Sequence, residues 1–262
     1  MKIKNFSYNT GDIITTDGYL SFCNDNNICY IKTDFFYIGK FVWRGDQHPK
    51  YLSNFCVIGH SDYPIIDQIS SKFQKVFCIN KFTKNENTFG IPLGITNDCD
   101  DSPLHRVYGN KEIMVEVSNK NIEKSDLAYM NFNISNFPQE RNYIFDNFKH
   151  KNWVKVGDIE NTIMGRKRFL EEIKSSKFVF CPRGNGIDTH RLWETLYMGS
   201  IPIVKYEISH ELFKDLPILF INDWSEINED FLEQKYLEII DKKWNMEKLK
   251  LSYWVNFIKS KI

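Results

Sequence analysis

Residues 178–206, Phe-Val-Phe-Cys-Pro-Arg-Gly-Asn-Gly-Ile-Asp-Thr-His-Arg-Leu-Trp-Glu-Thr-Leu-Tyr-Met-Gly-Ser-Ile-Pro-Ile-Val-Lys-Tyr, decide the fold. They read as a strand, a glycine-bearing polar loop, a helix, a tight turn and a second strand, which is one βαβ crossover. In an open α/β sheet ligands bind outside the carboxyl ends of the strands, so the loop after Cys181 is where a ligand belongs. Arg183, Asp188, His190, Arg191 and Glu194 crowd that loop and the helix it feeds. Such a set suits an anionic ligand rich in hydroxyls.

Outward from this unit the C-terminal part alternates regularly. The pattern predicts strands at 127–133, 153–156, 178–181, 201–205 and 218–221, with helices at 138–149, 165–175, 189–198 and 210–215 and two more at 225–241 and 246–260. Strands alternating with helices of this length argue for parallel units with right-handed crossovers. The N-terminal part reads as short β-type runs at 28–32, 35–42, 55–59, 76–80 and 113–117, separated by turn signals such as Thr-Asp-Gly and Cys-Asn-Asp-Asn-Asn. Only 64–73 looks helical there, with Pro64 suited to a first turn, and 97–110 reads as a loop. The polar stretch 119–125 reads as a linker. The expected architecture is α/β: two Rossmann-like lobes facing a central cleft, residues 1–122 forming an acceptor-side lobe and 123–262 a ligand-binding lobe.

Composition sets outer bounds. The 262 residues carry 34 Lys plus Arg and 34 Asp plus Glu, so the formal net charge is zero. That balance gives no support to nucleic-acid or membrane-surface binding. The six cysteines form no C-x-x-C pair, and Cys29, Cys56, Cys78 and Cys181 sit in apolar runs where a thiol behaves as a small hydrophobe. No apolar run approaches the roughly 18 residues of a membrane span, and the N-terminus lacks the apolar core of a signal peptide. The expected setting is a reducing, cytoplasmic one.

The loop and helix have a local chemistry. Gly184 and Gly186 let backbone approach a ligand closely. Asp188 stands where an N-cap belongs, and the helix start offers unpaired N–H groups and partial positive charge to a phosphate. Arg191 and Glu194 are three apart and share a helix face, so Arg191 can hold phosphate while Glu194 accepts ribose hydroxyls. As an isolated surface pair they would contribute under about 1 kcal/mol. Thr189 stands where a G-x-G-x-x-G fingerprint has its third glycine, so a dinucleotide site is not indicated.

The run from Cys181 to Val204 resembles the donor-binding segment of exostosin-type glycosyltransferases, with its Pro-Arg-Gly turn, Thr/Arg-bearing helix start, helix glutamate and Gly-x-Ile-Pro exit. The resemblance spans about thirty residues. It implies a GT-B fold, a nucleoside-diphosphate sugar as co-substrate, a glycan or glycosylated acceptor, and glycan biosynthesis. It marks Arg183, Gly184, Asp188, Thr189, His190, Arg191 and Glu194 as donor-site candidates. At 262 residues the chain is short for that fold, which implies a trimmed acceptor lobe.

Further candidates lie at other strand exits. Asn133, Ser135 and Arg141 follow the 127–133 run and can reach a diphosphate, whereas Arg166 and Arg168 are expected to face solvent. Lys205 and Tyr206 close a strand at the cleft edge, and Thr96 or Asn97 follows another exit. In the first lobe His60, Ser61 and Asp62 run off a strand, so His60 or Asp62 is the candidate base for an acceptor hydroxyl, with Asp46 or His48 second. No zinc motif occurs. Asp98-Cys-Asp100 has Asp-x-Asp spacing but no flanking strand, so no metal is expected. Rival readings are a sugar-nucleotide epimerase or phosphorylase sharing the donor lobe, and a non-catalytic glycan- or nucleotide-binding module.

Overall fold

A computed structural model describes residues 9–32, 35–37, 40–42, 54–60, 62, 73–98 and 102–262. Among the described residues the first part gives β1 (Cys29–Lys32), β2 (Phe35–Tyr37), β3 (Lys40–Val42), β4 (Phe55–His60), β5 (Lys75–Cys78) and β6 (Thr88–Gly90). Strands β1, β4, β5 and β6 pair side by side in that order, all parallel. The run predicted as one strand at 35–42 is instead an antiparallel hairpin of β2 and β3.

The second part supplies β7 (Asp126–Met130), β8 (Val154–Val156), β9 (Ser176–Phe180), β10 (Ile201–Lys205) and β11 (Leu219–Ile221). This sheet is also all parallel, in the order β8-β7-β9-β10-β11. After β7 the chain builds to one side, and from β9 onward to the other. The crevice between the carboxyl ends of β7 and β9 is therefore the topological switch point. The helices are α1 (Thr16–Asn26), α2 (Pro103–Tyr108), α3 (Lys111–Asn119), α4 (Pro138–Phe148), α5 (Ile163–Ser175), α6 (His190–Tyr197), α7 (Glu229–Asp241) and α8 (Leu251–Lys259). The expected α/β architecture holds: two parallel sheets face a common cleft.

Several local readings change. The helix expected at 210–215 is a 3-10 segment at Ile208–Phe213, and those expected at 225–241 and 246–260 each divide into a short 3-10 segment and an α-helix. Thr-Asp-Gly at 16–18 opens α1: Thr15 Oγ1 accepts from Gly18 N, and Tyr19, Phe22 and Cys23 fill the buried face. Gly18 is there for close packing, since a Cβ would sit 2.4 Å from Leu251 Cδ2 on α8. The β-like run 113–117 lies in α3, where the Asn110 side chain accepts from Ile113 N and Met114 and Val117 face inward. The expected loop at 97–110 contains α2, capped by Ser102 with Pro103 in the first turn. The helix expected at 64–73 falls outside the described residues up to position 72.

One buried cluster runs through both lobes, joining Ile14, Phe77 and Leu93 to Trp193, Phe213 and Trp254. Tyr197 on α6 ties them together: its hydroxyl accepts from Ile14 N at 2.9 Å and donates to Leu249 O at 2.7 Å. Helix α8, which the sequence groups with the second lobe, lays Phe257 edge-on against Phe77 and Phe89 of the first sheet. No helix among the described residues is long and apolar enough to cross a membrane.

Candidate functional site

A cleft of about 350 Å³ opens at the switch point. Residues of the first sheet's strand exits, Asp62, Asn80, Leu93 and Thr96, form one wall. Asn131, Asn133, Asp158 and Glu160, from the exits of β7 and β8, form part of the other. The glycine loop, with Gly184 and Gly186, and the start of α6, with Thr189, His190, Arg191 and Glu194, complete it.

The loop is held from both sides. On its own side Arg141, buried on α4, donates from Nε to Arg183 O at 2.8 Å and from Nη1 to Asn133 O at 2.6 Å. Burial, then the charge of Arg191, pulls the Arg141 guanidinium down to about 10. Across the cleft, Asp188 N donates to Asn80 Oδ1 at 2.8 Å, and His190 Nδ1 meets Gly94 O at 2.8 Å. A carbonyl accepts only, so Nδ1 carries the proton in that contact. Asn185 Nδ2 reaches Asp62 Oδ2 at 3.5 Å.

Asp188 does not cap α6. The cap position is Thr189, without a side-chain cap bond. The Asp188 carboxylate instead lies buried beneath the loop, accepting from Leu93 N at 2.8 Å and from Trp193 Nε1 at 2.9 and 3.0 Å. Burial pushes it up to about 7, against the pull of those donors. It is a strut between lobes, placed one residue too early to serve the first helical turn.

The arginines redistribute. Arg183 leaves the cleft lining: its guanidinium lies 4.4 Å above the Phe137 ring and donates to Asn185 O at 3.1 Å. Arg166, expected on the surface, is wholly buried and lines the cleft, whereas Arg168 is exposed and pairs with Glu160 at 2.8 Å. The expected Arg191–Glu194 pair is replaced by Arg166 Nη1 to Glu194 Oε1 at 2.7 Å. Arg191 stacks over Phe169 at 5.6 Å, and its buried Nε has no hydrogen-bond partner among the described residues. The Arg166–Glu194 contact is an ion pair rather than an aligned hydrogen bond, because none of the three Arg166 guanidinium nitrogens has an aligned acceptor.

Of the remaining candidates, Asn133 and Thr96 line the cleft and Ser135 does not. Asn97 instead anchors the start of α1, its Oδ1 accepting from Asp17 N at 3.1 Å. Lys205 and Tyr206 stand outside the lining, Tyr206 engaging Glu211. The His60 side chain, Ser61, Asp46 and His48 lie outside the described residues. Tyr108, Asn80, Asn131, Asp158 and Phe169 were missed by sequence reasoning. Two of them had a signal: Asn80 ends the 76–80 run and Asp158 follows the 153–156 run, the same strand-exit rule that found His60 and Asp62. Among the described residues no three His, Cys, Asp or Glu side chains gather as a metal site.

Residues 144–262 match the family model described as the RXYLT1 C-terminal domain, a glycosyltransferase-related family, over less than half of the chain. No curated protein matches the sequence. Among solved structures, an alpha1,3-fucosyltransferase with GDP-fucose is similar at 16% identity and a TM-score of 0.47, covering 82% of this chain and 76% of that one. Another alpha1,3-fucosyltransferase structure gives 16% and 0.43, with 79% and 71% covered. A UDP-GlcNAc 2-epimerase from Methanocaldococcus jannaschii gives 11% and 0.35, with 78% and 70% covered.

Proposed function

We propose that the protein is a glycosyltransferase of the exostosin type, moving a sugar from a nucleoside-diphosphate sugar to an acceptor hydroxyl. The observation that carries this reading is a pair of cleft guanidiniums, Arg141 and Arg191, that no carboxylate pairs with among the described residues. They line the cleft with Arg166, which Glu194 holds, while the carboxylates of Asp62, Asp158, Glu160 and Asp188 occupy other parts of the lining. Buried charge without a counter-ion is costly, and an anionic ligand removes that cost.

The diphosphate lies over the glycine loop and the start of α6, facing Arg141, His190 and Arg191 at the positive end of the helix. Glu194, one turn further along, takes the ribose hydroxyls. When the glycosidic bond breaks, charge grows on the departing diphosphate, and guanidiniums already in place stabilise it. The acceptor hydroxyl enters from the first lobe and loses its proton to Asp62 or His60. Asp62 is exposed on that wall, opposite Asn185 of the donor loop.

A thermal-shift screen of UDP-, GDP-, CMP- and dTDP-sugars tests the reading. A ligand at about a hundred times its dissociation constant adds roughly 2.7 kcal/mol of apparent stability. At least one nucleotide sugar should shift the wild type, and the shift should vanish in Arg191→Ala. No shift with any of the four, or an equal shift in Arg191→Ala, overturns the assignment. Slow donor hydrolysis lost in an Asp62→Asn, His60→Gln double variant supports catalysis over a binding module; hydrolysis unchanged in it removes both residues as the base.

A further inference from the structure

Arg166 is an unusual group to leave incomplete. Its side chain is 0% exposed and that of Glu194 is 5% exposed, yet among the described residues Glu194 Oε1 at 2.7 Å is the only anion it meets. The local fold fixes it there. Thr162 caps α5 through Gly165 N at 2.9 Å, and Gly165 has no room for a side chain, because a Cβ would stand 2.4 Å from Glu160 O. This brings Arg166 into the first turn, facing the cleft. Its guanidinium lies 5.6 Å from the Tyr108 ring and 5.5 Å from the Phe169 ring, so aromatic faces hold its plane. No hydrogen bond from another described residue reaches the Glu194 carboxylate.

A closed structural ion pair satisfies its remaining donors, since unpaired buried N–H groups are costly. Here Nε and Nη2, the side-on fork of the guanidinium, are buried without a partner among the described residues, on a residue that borders the cleft. The pair thus presents acceptor oxygens on Glu194 and donors on Arg166 within one small region. A vicinal diol is the complement, because each hydroxyl donates one hydrogen bond and accepts others. We propose that Arg166 is the positioning residue of the ribose site: it orients the Glu194 carboxylate and offers its fork to the same diol. The proposal rests on the nucleotide-sugar reading above and adds Arg166 to it.

The test is calorimetric binding of UDP and GDP, each compared with its 2′-deoxy form. Wild type should bind the ribose forms about 10- to 100-fold more tightly, the effect of losing a hydrogen bond to a charged group. Arg166→Gln should bind the ribose form as weakly as the deoxy form while its affinity for the deoxy form stays within about threefold of wild type. Glu194→Gln should show the same loss of discrimination. Arg166→Lys, which keeps a cation beside Glu194 but has no fork, should retain discrimination only in part, and it decides the matter if Arg166→Gln fails to fold. If the Arg166 variants weaken both forms equally, the residue holds phosphate or only the fold, and the proposal is overturned. Unchanged discrimination also overturns it. A wild type that binds none of the four nucleotides overturns the ribose-site proposal, whereas the nucleotide-sugar reading itself falls only if the CMP- and dTDP-sugars of the thermal screen fail as well, a different and separable failure.

Discussion

Asp188→Asn offers the sharpest test of how the lobes are joined, because two buried groups push stability with pH in opposite directions. Asp188 has an ordinary value of 3.8 and is raised to about 7 by burial. Between those values the folded state holds a proton that the unfolded chain has released, so Asp188 makes stability fall as pH rises. His210 does the reverse. Burial lowers it from 6.5 to about 4, so in that window the unfolded chain binds the extra proton and stability rises with pH. Its geometry agrees, with Nδ1 accepting from Glu207 N at 3.2 Å and no partner for Nε2.

At about 1.4 kcal/mol per pH unit, each group spans up to about 3–4 kcal/mol. The two slopes nearly cancel between pH 4 and 6.5. Asp188→Asn removes one of them. An asparagine Oδ1 in the place of Asp188 Oδ2 still accepts from Leu93 N and Trp193 Nε1; the Nδ2 in the place of Oδ1 loses the second Trp193 contact, a cost common to every pH, so the fold should survive with an unchanged pH slope from His210. Urea denaturation at half-unit steps from pH 4.5 to 8 should give a shallow profile for wild type. The variant should lose on the order of 2 kcal/mol between pH 6.5 and 5. Parallel profiles would refute the assignment of a proton to buried Asp188 near neutral pH.

Other outcomes follow from the packing. Gly94→Ala places a Cβ 2.1 Å from Ile14 O at a φ of +73° and should cost at least about 3 kcal/mol in urea midpoint analysis. Phe257→Ala empties the edge-on contacts to Phe77 and Phe89, and a loss of about 2–4 kcal/mol is expected by thermal melting. Arg141→Met strands the carbonyls of Arg183 and Asn133, so it should lower both melting temperature and nucleotide affinity, whereas Arg183→Ala should leave nucleotide affinity within about threefold.

Local sequence determined a good deal of this protein. The strands and helices from 126 to 205 follow the apolar periodicity to within three residues, because each βαβ unit buries its own hydrophobic pattern. Position relative to strand ends likewise marked the loop after Cys181 as the ligand wall, since the carboxyl edge of a parallel sheet is open by construction. Helix α1 was hidden because Gly18 reads as a turn, while its actual cause is the proximity of Leu251, more than two hundred residues away.

The roles of individual charged side chains were decided only in three dimensions. Spacing placed Arg191 beside Glu194, but packing of α5 against α6 inserts Arg166 as the partner. The Pro-Arg-Gly turn puts Arg183 at the site, yet Phe137 draws its guanidinium away. Asp188 looked like a cap and became a strut because Leu93 N, from the other lobe, reaches it first. A backbone pattern is settled by neighbours in sequence, and the sequence therefore fixes where the cleft opens. A long or buried charged side chain answers to whatever lies within a few ångströms, and only the folded chain supplies those neighbours.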